Sequence, residues 1–188
     1  MKRSVNMHED LIAGCRVNNR KSQLQIYNLY YKAMFNTAFR IVKHSAEAED
    51  VMQEAFLTGF QKIADYKGEA SFGAWLKRIV INRAIDQLKK QKESVSLEES
   101  GIEPMTEESN ENYLEVLSYK TDQIRKGIEQ LGEDDRMIMS LFLLEGYDHD
   151  EISQFMQISN NASRTRFSRA KHRLRDWLKQ QKIDELVN

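Results

Sequence analysis

The sequence predicts an all-α protein. It has two small helical domains, an N-terminal helical bundle and a C-terminal four-helix domain with a helix-turn-helix, joined by a flexible acidic linker. Three observations predict this. Pro occurs once and Gly eight times in 188 residues, amid abundant Leu, Ile, Lys, Glu, Arg and Gln, so helix formers dominate and breakers are rare. Apolar side chains recur at spacings of three and four, the helical period. Charge is segregated. The chain carries a net -1, yet residues 1–92 carry +7, residues 93–135 carry -10 and residues 136–188 carry +2.

The boundaries follow from composition. Residues 1–92 form the first domain, 93–119 the linker and 120–182 the second domain. The linker contains ESVSLEESGIEPMTEESNEN, with the only proline, Pro104, and few apolar residues. Such a segment buries too little surface to offset the entropy of ordering it. Basic ends and an acidic middle suit a nucleic-acid binder with an acidic strap, and equally suit a set of solvated helix faces.

In the first domain, Ala46–Ile63 predicts a helix that buries Met52, Ala55, Phe56, Gly59 and Ile63. Its other side shows Asp50, Gln53, Glu54, Leu57 and Gln61. Acidic groups around an exposed leucine point to a protein partner with basic residues, beside the plainer reading of a solvated face. After the loop containing Lys67, Ser71–Lys92 predicts a second helix, apolar on two sides and so wedged in a bundle. Phe72, Leu76, Ile79 and Val80 make one side, and Ile81, Ile85 and Leu88 the other. The strip left over is Trp75, Arg78, Asn82, Asp86 and Lys89. Aromatic, basic and amide groups in a row suit stacked bases and phosphates. Trp75 is equally at home in a core.

In the second domain, Ile124, Ile128 and Leu131 mark a helical stripe that Gly132 ends. Glu133–Asp135 open the next helix, with Met137, Ile138, Leu141, Phe142 and Leu144 inward and Gly146 as its stop. Asp148 or His149 caps a short helix with Ile152, Phe155 and Met156 inward. Ser159 or Asn160 caps the last helix. There Ser163, Phe167, Ala170, Leu174, Trp177 and Leu178 share one side. Thr165, Ser168, Arg169 and His172 lie opposite, flanked by Arg164 on one hand and Arg166 and Arg173 on the other. A short helix, a turn of about four residues and a basic helix make a helix-turn-helix, whose donors suit guanine edges and phosphates.

Several classes are disfavoured. No apolar run approaches the roughly 18 residues of a membrane span. No apolar segment follows the first charges, so no secretory signal is read, and the single Cys15 forms no disulfide framework within the chain. A reducing cytoplasm is the expected setting. Glu47, Glu49, Asp50 and Glu54 do not converge as metal ligands, and no Glu-x-x-His pair, phosphate loop or nucleophile-base arrangement occurs. His44, His149 and His172 read as surface residues. No enzymatic activity, metal, cofactor, small-molecule substrate or membrane insertion is expected.

Three segments then stand in order: AEDVMQEAFLTGF, YKGEASFGAWLKRIVINRAIDQLKKQK and, past the linker, IEQLGEDDRMIMSLFLLEGYDHDEISQFMQISNNASRTRFSRAKHRLRDWL. Together they resemble the sigma-70 family of bacterial sigma factors, in its extracytoplasmic-function (ECF) branch, over about residues 8–180. The resemblance implies a transcription initiation factor that binds core RNA polymerase and promoter DNA. It implies that Asp50, Gln53 and Glu54, with Leu57 beside them, dock on the polymerase. Lys67, Trp75, Arg78, Asn82, Asp86 and Lys89 would open and hold the minus-ten element. Arg164, Thr165, Ser168 and Arg169 would read the minus-thirty-five element, with Arg166 and Lys171 on phosphate. The linker would occupy the polymerase's RNA path, and an anti-sigma factor is the implied inhibitor. The turn before the last helix departs from the family's Gly followed by Thr-Val. It reads SNNAS, with Asn expected to take the left-handed backbone. The rival reading is a stand-alone helix-turn-helix regulator, which leaves the acidic helix and the Trp75 strip unused. A gel shift with the protein alone separates the two.

Overall fold

The computed structural model describes residues 8–94 and 112–181. The described residues are helical, with no strand, and the chain divides into two compact units, one on each side of segment 95–111. The minor connecting turns aside, unit one holds α1 (Glu9–Arg16), α2 (Arg20–Val42), α3 (Ser45–Gln61) and α4 (Phe72–Ser94). Unit two holds α5 (Asn112–Glu129), α6 (Glu133–Met139), α7 (His149–Met156) and α8 (Asn160–Gln180). The acidic linker expected at 93–119 is therefore shorter. Helix claims 93–94 at one end and 112–119 at the other, and the remainder lies outside the described residues.

In unit one, Asn19 caps α2 by accepting from the backbone N–H groups of Lys21 and Ser22. Lys43 ends α2 in the left-handed conformation, and α3 begins two residues later. α2, α3 and α4 pack pairwise around Ile26, Met34, Ile41, Met52, Leu76, Val80 and Ile81, all buried. Small residues let the axes approach: Ala38, Ala48, Ala55 and Ala84 are fully buried. Gly59 belongs to the same device, since a Cβ there would sit 3.0 Å from Leu76 Cδ1 of α4. α4 is apolar on two sides as read from its sequence, with Ile79 only half-buried.

The loop into α4 is pinned. Tyr66 is buried, and its hydroxyl donates to the Ala70 carbonyl at 2.8 Å. Arg16 at the end of α1 donates to the Tyr66 carbonyl at 2.8 Å. Tyr66, Phe72 and Trp75 form a three-ring cluster with centroids 5.4–5.5 Å apart.

In unit two, α5 seats on α8 through Gly127, where a Cβ would meet Leu174 Cδ1 at 2.5 Å and Trp177 Cε3 at 2.9 Å. Ile128 and Leu131 are buried there, but Ile124 is 39% exposed. The expected three-residue stripe thus shortens to its last two members, because the contact centres on Gly127 rather than on an isoleucine row. Residues 133–144 are also not one regular helix. After Met139 the chain widens into a π turn, Ser140–Leu144, with Glu145 N–H on the Ser140 carbonyl at 3.0 Å. The wider turn keeps Ser140 and Leu141 buried in continuation of Met137, Ile138 and Met139.

Asp148 caps α7 in a reciprocal box with Glu151. Gln157 then turns left-handed at φ 55°, and Ser159 caps α8 by accepting from Ala162 N–H at 3.1 Å. The left-handed residue is therefore Gln157, while Asn160 and Asn161 stand inside the first turn of α8. The connection between the two helices is three residues, Gln157 to Ser159.

Candidate nucleic-acid and protein interfaces

The last helix buries Ser163, Ala170, Leu174 and Leu178, with Phe167 and Trp177 half-buried. Thr165, Ser168, Arg169, Lys171 and His172 stand exposed on the far side. α7 holds that helix from below. The His149 ring stacks on Phe142 at 4.9 Å, meets Phe167 edge-on at 5.4 Å, and its Nδ1 lies 2.9 Å from the buried Ser163 hydroxyl. His149 is thus half-buried rather than a surface residue, while His44 and His172 are exposed. Burial lowers the His149 pKa, and the Arg164 charge lowers it further against the opposing pull of Asp148 and Asp150.

The arginines of α8 divide into two groups. Arg166 pairs with Asp134 at 2.9 Å, and Arg173 pairs with the nearly buried Asp135, both acids of the first turn of α6. These cations tie α8 to α6. Arg164 instead donates from Nε to Asn160 Oδ1 at 2.7 Å, and Asn160 donates in turn to Asp150 Oδ1 at 2.6 Å. Of these ties only Arg164–Asn160 has a helical spacing, four residues. The partners of the others lie ten to 38 residues away along the chain, beyond what helical periodicity encodes.

On α3, Asp50, Gln53, Glu54 and Leu57 are all exposed, and Leu57 is 62% accessible. Glu49 accepts from Gln53 at 3.1 Å. Arg83 of α4 reaches Glu54 at 3.4 Å and donates to Thr58 at 3.1 Å. Arg83 was not singled out in the sequence. It closes one wall of a shallow cleft between α3 and α4 whose rim includes Asp50, Glu54, Asp86 and Lys90.

Along α4, Arg78, Asn82 and Asp86 are exposed, and Lys89 and Trp75 half-buried. One part of Trp75 packs on Tyr66 and Phe72, and the rest remains accessible. Lys67 is exposed on the pinned loop just ahead. One surface of unit one therefore presents an acidic strip on α3, and another a mixed aromatic and polar strip on α4. Among the described residues no group of three or more His, Cys, Asp or Glu is arranged to hold a metal, and no helix is long and apolar enough to cross a membrane.

Comparison with known proteins follows this division. Residues 26–94 match the family described as Sigma-70 region 2, and residues 121–174 match Sigma-70, region 4. The ECF RNA polymerase sigma-E factor of Escherichia coli (strain K12) is 32% identical over 136 residues, covering 68% of this chain and 71% of that protein. The probable RNA polymerase sigma factor RfaY of Xanthomonas campestris is 29% identical over 185 residues, 93% of this chain, which spans only 44% of that relative. Among solved structures, the sigma factor RpoE in complex with the anti-sigma factor NepR from Bartonella quintana aligns over 82% of this chain and 95% of that one, with a TM-score of 0.58 and 22% identity, a likeness of fold.

Proposed function

The chain belongs to the sigma-70 family of RNA polymerase sigma factors, in its ECF branch, and we propose that it binds core RNA polymerase and directs it to specific promoters. One observation carries the reading. Each matched region falls on one compact unit, and each unit keeps its charged strip out of its own core.

Asp50, Gln53, Glu54 and Leu57 form the polymerase-docking face. Exposed carboxylates around an apolar residue complement a basic partner surface with one apolar anchor. Lys67, Trp75, Arg78, Asn82, Asp86 and Lys89 serve the minus-ten element. The accessible part of Trp75 supports the edge of the opened strands, and Asn82 meets an unstacked base by its amide. Thr165, Ser168, Arg169 and Arg164 read the minus-thirty-five duplex in the major groove, and Lys171 holds phosphate. Arg166 adds to the phosphate field while tied to Asp134. Opening requires binding and strand capture, with no covalent chemistry by this chain. The setting is the cytoplasm, where polymerase and promoter meet. The anti-sigma factor seen with the Bartonella relative suggests an inhibitor of the same kind for this chain.

The test is run-off transcription from genomic fragments with core polymerase, with and without the protein. Discrete start sites that need the protein, sharing two upstream elements, are expected. No new start sites with polymerases from several bacterial groups would reject the reading.

A further inference from the structure

Arg164 sits one turn into α8 on the exposed side, at the flank of the groove-facing residues. A free arginine there would sample many rotamers, and ordering it on DNA would cost entropy. Here its Nε–H is already engaged. It donates to Asn160 Oδ1 at 2.7 Å. The Asn160 amide is itself oriented, because its nitrogen donates to the Asp150 carboxylate at 2.6 Å, and a carboxylate only accepts. The backbone that carries Asp150 is held in turn. It stands in the first turn of α7 inside the Asp148–Glu151 capping box, and its carbonyl accepts from Ser153 Oγ at 2.7 Å.

We infer that Asn160 is a positioning residue for DNA reading: the Asp150–Asn160–Arg164 relay holds the guanidinium so that its two terminal nitrogens face the groove. This rests on the reading of α8 as the duplex-reading helix. Consuming Nε within the protein leaves the end-on pair, Nη1 and Nη2, as the remaining bidentate edge. That pair matches the O6 and N7 acceptors of guanine or two phosphate oxygens. The relay also explains what the departure in the turn accomplishes. Asn160 supplies both an acceptor for Arg164 and a donor for Asp150, which no apolar residue at that position could do. It couples the first helix of the motif to the second through side chains alone.

The experiment is transcription by core polymerase with the full-length chain on templates randomised in the upstream duplex element, read as base preference at each position. Asn160→Ala is expected to relax preference at the same one or two positions that Arg164→Ala relaxes, by roughly two- to fourfold, less than loss of a whole base contact. It leaves the other positions and co-elution with core polymerase unchanged. In the Arg164→Ala background the Asn160→Ala change adds nothing further. Swapping the relay, Asn160→Asp with Asp150→Asn, keeps an acceptor for Nε and a donor beside it and restores the preference. Additive losses in the double variant, or a uniform loss at every position, would overturn the inference while the proposed function stood. Absence of any protein-dependent start site with the unaltered chain would overturn the function, and this inference with it.

Discussion

The guanidinium of Arg83 on α4 lies 3.4 Å from the carboxylate of Glu54 on α3, and also donates to Thr58 one turn further along that helix. One cation therefore links the proposed polymerase-docking helix to the helix proposed to hold opened DNA. Its side chain is 41% exposed and that of Glu54 is 61% exposed, so the pair is solvated and contributes little to folding.

Removing either partner should therefore separate stability from function. Arg83→Ala is expected to change unfolding free energy by less than about 1 kcal/mol. Glu54→Lys places a cation opposite Arg83 and on the docking face, and is expected to impair association with core polymerase. Co-elution of the variant with core enzyme, compared with unaltered protein, checks this. Unchanged co-elution would reject α3 as the docking face.

Gly127→Ala tests the seat of α5 on α8. The added methyl would press on buried Leu174 and half-buried Trp177. Overpacking of this kind costs about 1–3 kcal/mol. Greater helix propensity of Ala returns at most about 1 kcal/mol, so a net loss is expected. Urea unfolding followed by Trp177 fluorescence in a Trp75→Phe background reads unit two by itself. A midpoint equal to or above that of the parent would show that the contact adjusts freely.

Unit two should also weaken in mild acid. The folded-state pKa of His149 is depressed below its unfolded value near 6.5, because the ring is withdrawn from water and faces Arg164, with Asp148 and Asp150 only partly compensating. Well above pH 6.5 the ring is neutral in both states and contributes no slope. As pH falls below 6.5 the unfolded chain takes up the proton first, so stability declines until the folded pKa is passed, then levels. Urea midpoints for the Trp177 signal between pH 7.5 and 5.5 should fall toward acid. His149→Gln, which keeps a polar group toward Ser163, should flatten that slope. Parallel slopes in both proteins would assign the effect to other groups.

Element type was legible wherever one face had to be buried, because burial writes its own period into the sequence. Met52, Ala55 and Phe56 on α3, Ile63 in the turn just after it, and Ser163, Ala170, Leu174 and Leu178 on α8 lie inside as their spacing requires. Two kinds of feature escaped. Close approaches depend on what a small residue permits, and a glycine has no hydropathy to read, so Gly127 took the place expected of Ile124. Polar ties between helices depend on distance in space. Asp134 and Asp135 looked like ordinary first-turn acids, yet they hold two of the arginines counted as a basic face. The π turn at Ser140–Leu144 likewise follows an apolar pattern that an α-helix also satisfies.

That division of the arginines yields the sharpest contrast between substitutions on one helix. Arg169 is exposed at the centre of the side proposed to face the groove, between Thr165 and Ser168 on one hand and His172 on the other. Arg166 is drawn aside by Asp134. Arg169→Ala is expected to reduce promoter use by about 1–3 kcal/mol in apparent free energy and to relax sequence preference, with core binding intact. Arg166→Ala is expected to act differently. It removes a tie between α6 and α8 and part of a phosphate field, so it should lower affinity evenly across promoter sequences and reduce the salt dependence of binding by about one ion or less. Measuring promoter binding by the polymerase complex at several salt concentrations, on matched and mismatched upstream elements, distinguishes the two. If Arg166→Ala changed base preference and Arg169→Ala did not, the groove-facing register of α8 would have to be rotated toward α6.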